Sequence, residues 1–193
     1  FNAQLFPEDR ILHLALGTTI TSILFTSVSS FLGHHRHGAV NWQLVRKVSP
    51  GLLAGTLLGT FFADALDSKH LGIFFIIFVY YSATKLFSDK QPASGRQLPD
   101  LPGLIISSII IGIISSLVGI GGGAITIPLM ILCNIDVKKA VGTSAALGFP
   151  IAVAGAIGYI YNGIDESNLP DFSIGYVYLP ALIGVVAGTL VTV

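Results

Sequence analysis

The chain has 193 residues, 52% of them hydrophobic and only 10% charged, with ten basic and ten acidic side chains and a net charge of zero. Soluble domains carry about 25% charged residues, so composition excludes an ordinary soluble fold, and the neutral balance argues against a nucleic-acid partner. A mean hydropathy of +0.80, with the charges clustered between long uncharged runs, predicts an all-α, polytopic membrane protein.

The first predicted span is residues 11–32, ILHLALGTTITSILFTSVSSFL, an uncharged run of 22 with Gly17, Thr18 and Thr19 near its start. That length suffices to cross a ~30 Å hydrocarbon core. A basic loop, GHHRHGAVNWQLVRK, follows, with Trp42 as an interfacial anchor. Its His34, His35 and His37 read as solvated rather than metal-binding, and His13 reads as an interfacial histidine. Residues 48–63 form a short second span whose Gly51, Gly55 and Gly59 recur every four positions, on one helical face suited to close packing. Asp64 and Asp67 mark a polar, solvated turn. Residues 71–87 span again, and residues 88–102, rich in Pro, Gly and charge, form the linker.

Residues 103–132 run 30 positions without a charge but are interrupted by Gly119, Gly121, Gly122, Gly123 and Pro128. A glycine weakens a helix by about 1 kcal/mol relative to alanine, and a mid-helix proline by about 3. In hydrocarbon, irregular backbone persists only where protein or a water-filled cavity satisfies its polar groups. This stretch is therefore the expected functional centre. Residues 140–161 span next, carrying Gly142, Thr143 and Ser144 near the start; NGIDESNLPD is an acidic loop, and another span begins at residue 174.

Two segments repeat. Ala15-Leu16-Gly17-Thr18-Thr19 is similar to Ala140-Val141-Gly142-Thr143-Ser144, and each leads to a Gly-x-x-x-Gly-Thr span, Gly55–Thr60 and Gly184–Thr189. The division expected is an N-terminal repeat over 1–100 and a C-terminal repeat over 101–193. Lysine and arginine set the topology. If 103–132 crosses once, basic residues split six against four; if it enters and returns, they split eight against two, with Arg10 and Lys69 alone on the far side. Two legs of fifteen residues reach only about 22 Å each, so a glycine-broken helical hairpin is expected, and the repeats have inverted topology. Phe1 is not a natural start, the sole methionine being Met130, and Val193 ends inside an apolar run. The expectation is a fragment that lacks the first hairpin of one repeat and the last helices of the other.

GIGGGAITIPLMI followed by KKAVGTSAAL resembles the sulfite exporter TauE/SafE family of membrane permeases. ALGTTITSI, the loop ending GAVNW, and PGLLAGTLLGTFFADAL resemble the family's N-terminal repeat. The resemblance covers nearly the whole chain. It implies two inverted repeats, residence in the plasma (inner) membrane and movement of a small sulfur-containing anion, such as sulfite or an organosulfonate.

An oxyanion needs hydrogen-bond donors and positive potential, and no Lys or Arg lies in the central spans. Backbone amides at a helix break supply both. Gly121, Gly122 and Gly123 with Gly142, Thr143 and Ser144 are the candidate substrate-binding residues, and Gly17, Thr18 and Thr19 their pseudo-symmetric counterpart. No catalytic residue, metal or cofactor is expected, and coupling ion and oligomeric state stay open. Gly119-x-Gly121-x-x-Ala124 fits a dinucleotide fingerprint by accident, because its flanks are membrane-apolar. The alternatives are a permease for another small organic or inorganic anion and a non-transporting membrane assembly subunit. An intramembrane serine hydrolase using Ser144 lacks a histidine or aspartate base in the mid-span runs.

Overall fold

The computed structural model describes residues 7–87 and 98–192, with side chains for 7–84 and 98–189. Seven helices carry the fold among them: α1 (Ile11–Arg36), α2 (Trp42–Asp64), α3 (Ser68–Phe87), α4 (Leu101–Val118), α5 (Gly123–Leu132), α6 (Val137–Gly163) and α7 (Leu179–Thr192). Helices α1, α4 and α6 are long and apolar enough to cross a membrane. Large apolar side chains such as Phe61, Phe62, Ile76, Ile77 and Ile183 are exposed, an arrangement that fits lipid and not water. The basic linker residues Lys90 and Arg96 and the side chain of Lys85 lie outside the described residues.

Backbone approach, not side-chain bulk, sets the central packing. A Cβ on Gly51 would lie 2.7 Å from the Cβ of Ser108, one on Gly55 would strike the Ile109 carbonyl, and one on Gly59 would come 2.8 Å from Ile113 Cα. The partner numbers rise together, so α2 and α4 run parallel. From the other side, Gly112 takes the Leu52 carbonyl at 2.7 Å from its Cβ position. Helices α1 and α6 run antiparallel, with Gly17 against Tyr159, Ile20 against Gly155 and Ser27 against Gly148. Two apolar clusters result, one around Leu44, Leu52, Leu104, Met130 and Leu147 and one around Leu16, Ile20, Tyr159 and Tyr176.

Residues 103–132 form the broken hairpin. Leu104, from the first turn of α4, lines the same cavity as Leu132 and Cys133 at the end of α5, so α5 returns toward the end at which α4 began. Residues 37–47, 98–101 and 133–139 therefore gather at one end of the bundle, with Ala39 against Gly142 and Asn41 beside Pro99. This basic end carries Arg36, Arg46, Lys47, Lys138 and Lys139.

Two boundaries and one side-chain environment differ from the sequence expectation. The loop expected over 33–47 shrinks to residues 37–41, because α1 continues to Arg36 and Asn41 caps α2 by accepting the Leu44 N–H at 3.2 Å. The span expected from residue 174 starts at Leu179, after a two-stranded antiparallel hairpin pairing Ser173 with Tyr178 and Ile174 with Val177. Asp64 is not a freely solvated turn residue, since it accepts a hydrogen bond from the Tyr176 hydroxyl at 2.8 Å.

Gly55 and Gly184 occupy equivalent places in the sequence repeat, yet nothing lies within 4 Å of a Cβ on Gly184. Gly55→Leu is expected to destabilise the protein by about 3 kcal/mol, the upper part of the overpacking range, because the obstacle is backbone and cannot rotate away. Gly184→Leu is expected to leave the detergent-solubilised melting temperature unchanged.

Candidate functional site

The site grows from two glycines. Helix α4 ends at Gly119, with φ 74°, and α5 begins after Gly122, with φ 77°. Both angles lie in the left-handed region that glycine alone enters without strain. Between them the chain descends along α1, from Gly119 beside Leu16 to Gly121 beside Ile23, and reaches α6 where Gly122 meets Ile151 and the Gly121 carbonyl faces Gly148. The break thus sits midway along α6 rather than at an end of the bundle.

The hydrogen bonds around the break are incomplete. Gly119 and Ile120 both donate to the Ser115 carbonyl, at 2.9 and 3.1 Å, and Ile125 and Thr126 donate to the Gly122 carbonyl, at 3.1 and 2.9 Å. The N–H groups of Gly121, Gly122, Gly123 and Ala124 have no acceptor among the described residues. They lead into α5, Gly122 as its N-cap and Gly123 and Ala124 as its first two residues, at the end where the helix dipole is positive. Gly122, at the N-cap, offers no side chain to cap them.

Three hydroxyls surround these amides. Thr126 Oγ1 lies 2.9 Å from Ser144 Oγ and 3.0 Å from the Gly122 carbonyl. Its single proton serves one of the two: when it goes to Ser144 Oγ the Ser144 proton is free for a further acceptor, and when it goes to the Gly122 carbonyl Ser144 Oγ donates to Thr126. Ser144 Oγ is also 3.3 Å from a Cβ built on Gly123. Ser115 Oγ, in a residue only 1% exposed, has no hydrogen-bond partner and lies 3.5 Å from the Cβ position of Gly122. An unsatisfied buried hydroxyl costs about 1–3 kcal/mol, so its position beside unpaired amides is informative.

The structure brings Gly121, Gly122, Gly123 and Ser144 together and places the other candidates elsewhere. Gly142 and Thr143 stand at the basic end, where Gly142 meets the Ala39 carbonyl and the Asn41 N–H donates to Thr143 Oγ1 at 3.0 Å. Gly17 and Thr18 stand at the opposite end in the matching relation: Gly17 meets the Tyr176 carbonyl and the Tyr178 N–H donates to Thr18 Oγ1 at 3.0 Å. In each case a Gly-Thr pair docks the segment that leads into another helix, α2 after Asn41 and α7 after Tyr178. Thr19 is exposed and donates back to the Ala15 carbonyl at 2.7 Å. Ser115 and Thr126 were not singled out from sequence. Their signal is spacing, since Ser115 lies four residues before Gly119 and Thr126 four after Gly122.

The end opposite the basic loops is cross-linked. Arg10 lies 3.8 Å from Asp64 and 3.5 Å from Glu166. Burial and the Asp64 carboxylate hold the Tyr176 phenol above its ordinary range. His13, expected at the interface, is fully buried and donates from Nε2 to the Ala63 carbonyl at 2.9 Å.

A bundle of apolar helices with lipid-compatible faces, interrupted by an unpaired polar turn, defines an integral membrane protein of the polytopic helical class. A profile of the sulfite exporter TauE/SafE family matches residues 5–193. The chain belongs to that family. It is 33% identical over 188 residues to a probable membrane transporter protein of Haemophilus influenzae, covering 96% of this chain and 71% of that protein. It is 32% identical over 169 residues to the probable membrane transporter protein YdhB of Bacillus subtilis, covering 80% and 66% of the two. A third relative, the probable membrane transporter protein MJ0441 of Methanocaldococcus jannaschii, is 30% identical over 173 residues, 86% of this chain and 62% of that one. The chain thus spans roughly two thirds of the length of these relatives. No solved structure matches.

The paired Gly-Thr contacts carry a stability test. Thr143→Val removes the acceptor for Asn41 N–H and is expected to cost about 1–2 kcal/mol, as is Thr18→Val at the other end. Thr→Ser at either position keeps the oxygen and is expected to recover most of the loss, read as melting temperature in detergent.

Proposed function

We propose that this chain carries a small anion across the plasma (inner) membrane, held at the break between α4 and α5. The observation that carries the reading is the juxtaposition of four unpaired amides, Gly121 to Ala124, with the partnerless hydroxyl of Ser115. Every one of these groups is a donor, and the described side chains around them include no carboxylate to compete for the donors. An anion completes both sets of hydrogen bonds at once. The helix-terminal dipole adds about 0.3–1 kcal/mol, and up to ~2 where partly buried. Neutral donors hold an anion firmly enough for selection and loosely enough for release.

The family and the relatives' names support membrane transport. Sulfite or an organosulfonate is the proposed cargo, on the strength of the family match. Within the site, Gly121, Gly122 and Gly123 supply amides and an unobstructed approach, while Ser144 and Ser115 supply hydroxyl protons and Thr126, by donating to Ser144, frees the Ser144 proton. Gly142-Thr143 and Gly17-Thr18 act as the positioning pair that fixes α6 and α1 against the opposite half, with Thr19 on the outer surface of α1. We divide the chain near residue 100 into two inverted repeats, a division supported by the matching Gly-Thr contacts at the two ends.

Thermal stabilisation of purified protein by sulfite, and sulfite flux in proteoliposomes, test the reading. Ser115→Ala, Ser144→Ala and Thr126→Val each remove one hydroxyl donor. Each is expected to weaken anion binding by roughly 10- to 100-fold, the worth of about 1.5–3 kcal/mol for a hydrogen bond to a charged group. Equal binding and flux in all three variants would overturn the assignment.

A further inference from the structure

Two cavities lie between the basic end and the break. The outer, about 340 Å³, is lined by Asn41, Gln43, Lys47 and Asp100 together with apolar residues. The inner, about 140 Å³, lies between the legs of the hairpin, with Ser108 and Ile111 of α4 on one wall and Leu129 and Met130 of α5 on the other. It reaches Thr126, whose hydroxyl is part of the cluster at Gly122. The two cavities share four lining residues: Leu44, Leu98, Pro99 and Leu104. All four are apolar. Leu44 and Leu104 are 5% and 9% exposed and approach from different helices, α2 and α4.

From this geometry we infer that the solute path from the basic end, where Leu132 and Cys133 also line the inner cavity, runs between α4 and α5, and that Leu44 and Leu104 narrow it where the two cavities adjoin. The inference rests on the anion reading given above for its cargo, but not for its geometry. An anion cannot shed its hydration at an all-apolar throat without large cost. A hydrophobic constriction of this kind closes by excluding water and opens by widening. The outer cavity holds both Lys47 and Asp100; the basic excess of that end, Arg36, Arg46, Lys47, Lys138 and Lys139 against Asp100 and Asp136, supplies the positive potential that gathers anions at the mouth. At the opposite end Arg10, Asp64, Glu166 and Tyr176 are cross-linked, whereas both cavities lie toward the basic end. The hairpin legs do not pack tightly on one another; the inner cavity fills the space between them.

A buried thiol reads the path directly. In a Cys133→Ala background, Ile111→Cys places the sole thiol on the inner wall, beyond Leu44 and Leu104. A membrane-impermeant methanethiosulfonate reagent is expected to label it from the basic end and not from the other. Leu104→Trp, and independently Leu44→Phe, are expected to slow labelling at least about fivefold, and Leu104→Ala to speed it. Sulfite flux of the same throat variants with Ile111 intact is expected to fall and rise in the same order. Two narrowing substitutions on different helices separate a blocked path from a misfolded variant, and monodisperse elution in detergent accompanies each. Labelling and flux indifferent to both narrowings, while flux still depends on Ser144, would overturn the path and leave the anion site standing. Labelling that follows throat size with no flux of any anion would uphold the path and overturn the anion reading.

Discussion

An amide that leaves a helix inside an apolar bundle must find an acceptor, and in this protein the requirement falls on residues 121–124. The rest of the structure is arranged around that need. The left-handed Gly119 and Gly122 turn the chain without strain, and the turn leaves four N–H groups aimed away from any carbonyl. Hydrocarbon does not tolerate such a turn at its surface, so α1 and α6 enclose it, with Leu16, Ile23 and Ile151 against the glycines. Gly122 is buried by this enclosure while Ala124 stays exposed, and polar neighbours, Ser115, Thr126 and Ser144, lie beside the turn.

Holding the enclosure together falls to close backbone contact. Between α2 and α4 the glycines remove the side chains that would separate the helices, and dispersion across the seam replaces the hydrophobic drive that water would have provided. At the two ends, Gly17-Thr18 and Gly142-Thr143 perform one operation on related segments. Each glycine admits a carbonyl and each threonine takes the amide two residues later. A strand with a pendant N–H is secured without charge, which suits a region of low dielectric. Charged contacts are kept at the rim, where Arg10, Asp64 and Glu166 retain some solvent.

Much of this was legible in the sequence. The uncharged runs gave the helices, and the interruption at Gly119–Gly123 with the lysine and arginine asymmetry gave the hairpin. The four-residue glycine spacing gave the packing face of α2. Other features were hidden because they depend on contacts far apart in the chain. That Thr143 accepts the Asn41 amide across 102 positions is set by tertiary packing, and a Thr in a helix more often bonds to its own preceding turn, as Thr19 and Thr21 do. Ser115 looked like one of several serines in an apolar helix. Ser107, Ser108 and Ser116 donate to their own helix's carbonyls, at 2.6, 2.5 and 2.8 Å; Ser115 does not, and only coordinates reveal the difference. Asp64 read as a solvated turn because its partners, Arg10 and Tyr176, lie far from it in sequence.

The central claim is that the amides of residues 121–124 are donors waiting for an anion. Hydrogen–deuterium exchange of the purified protein, resolved to this segment, tests it most directly. Saturating sulfite or methanesulfonate is predicted to slow exchange at Gly121, Gly122, Gly123 and Ala124 more than elsewhere in the bundle. Bound anion with unchanged exchange across those four amides would contradict the account.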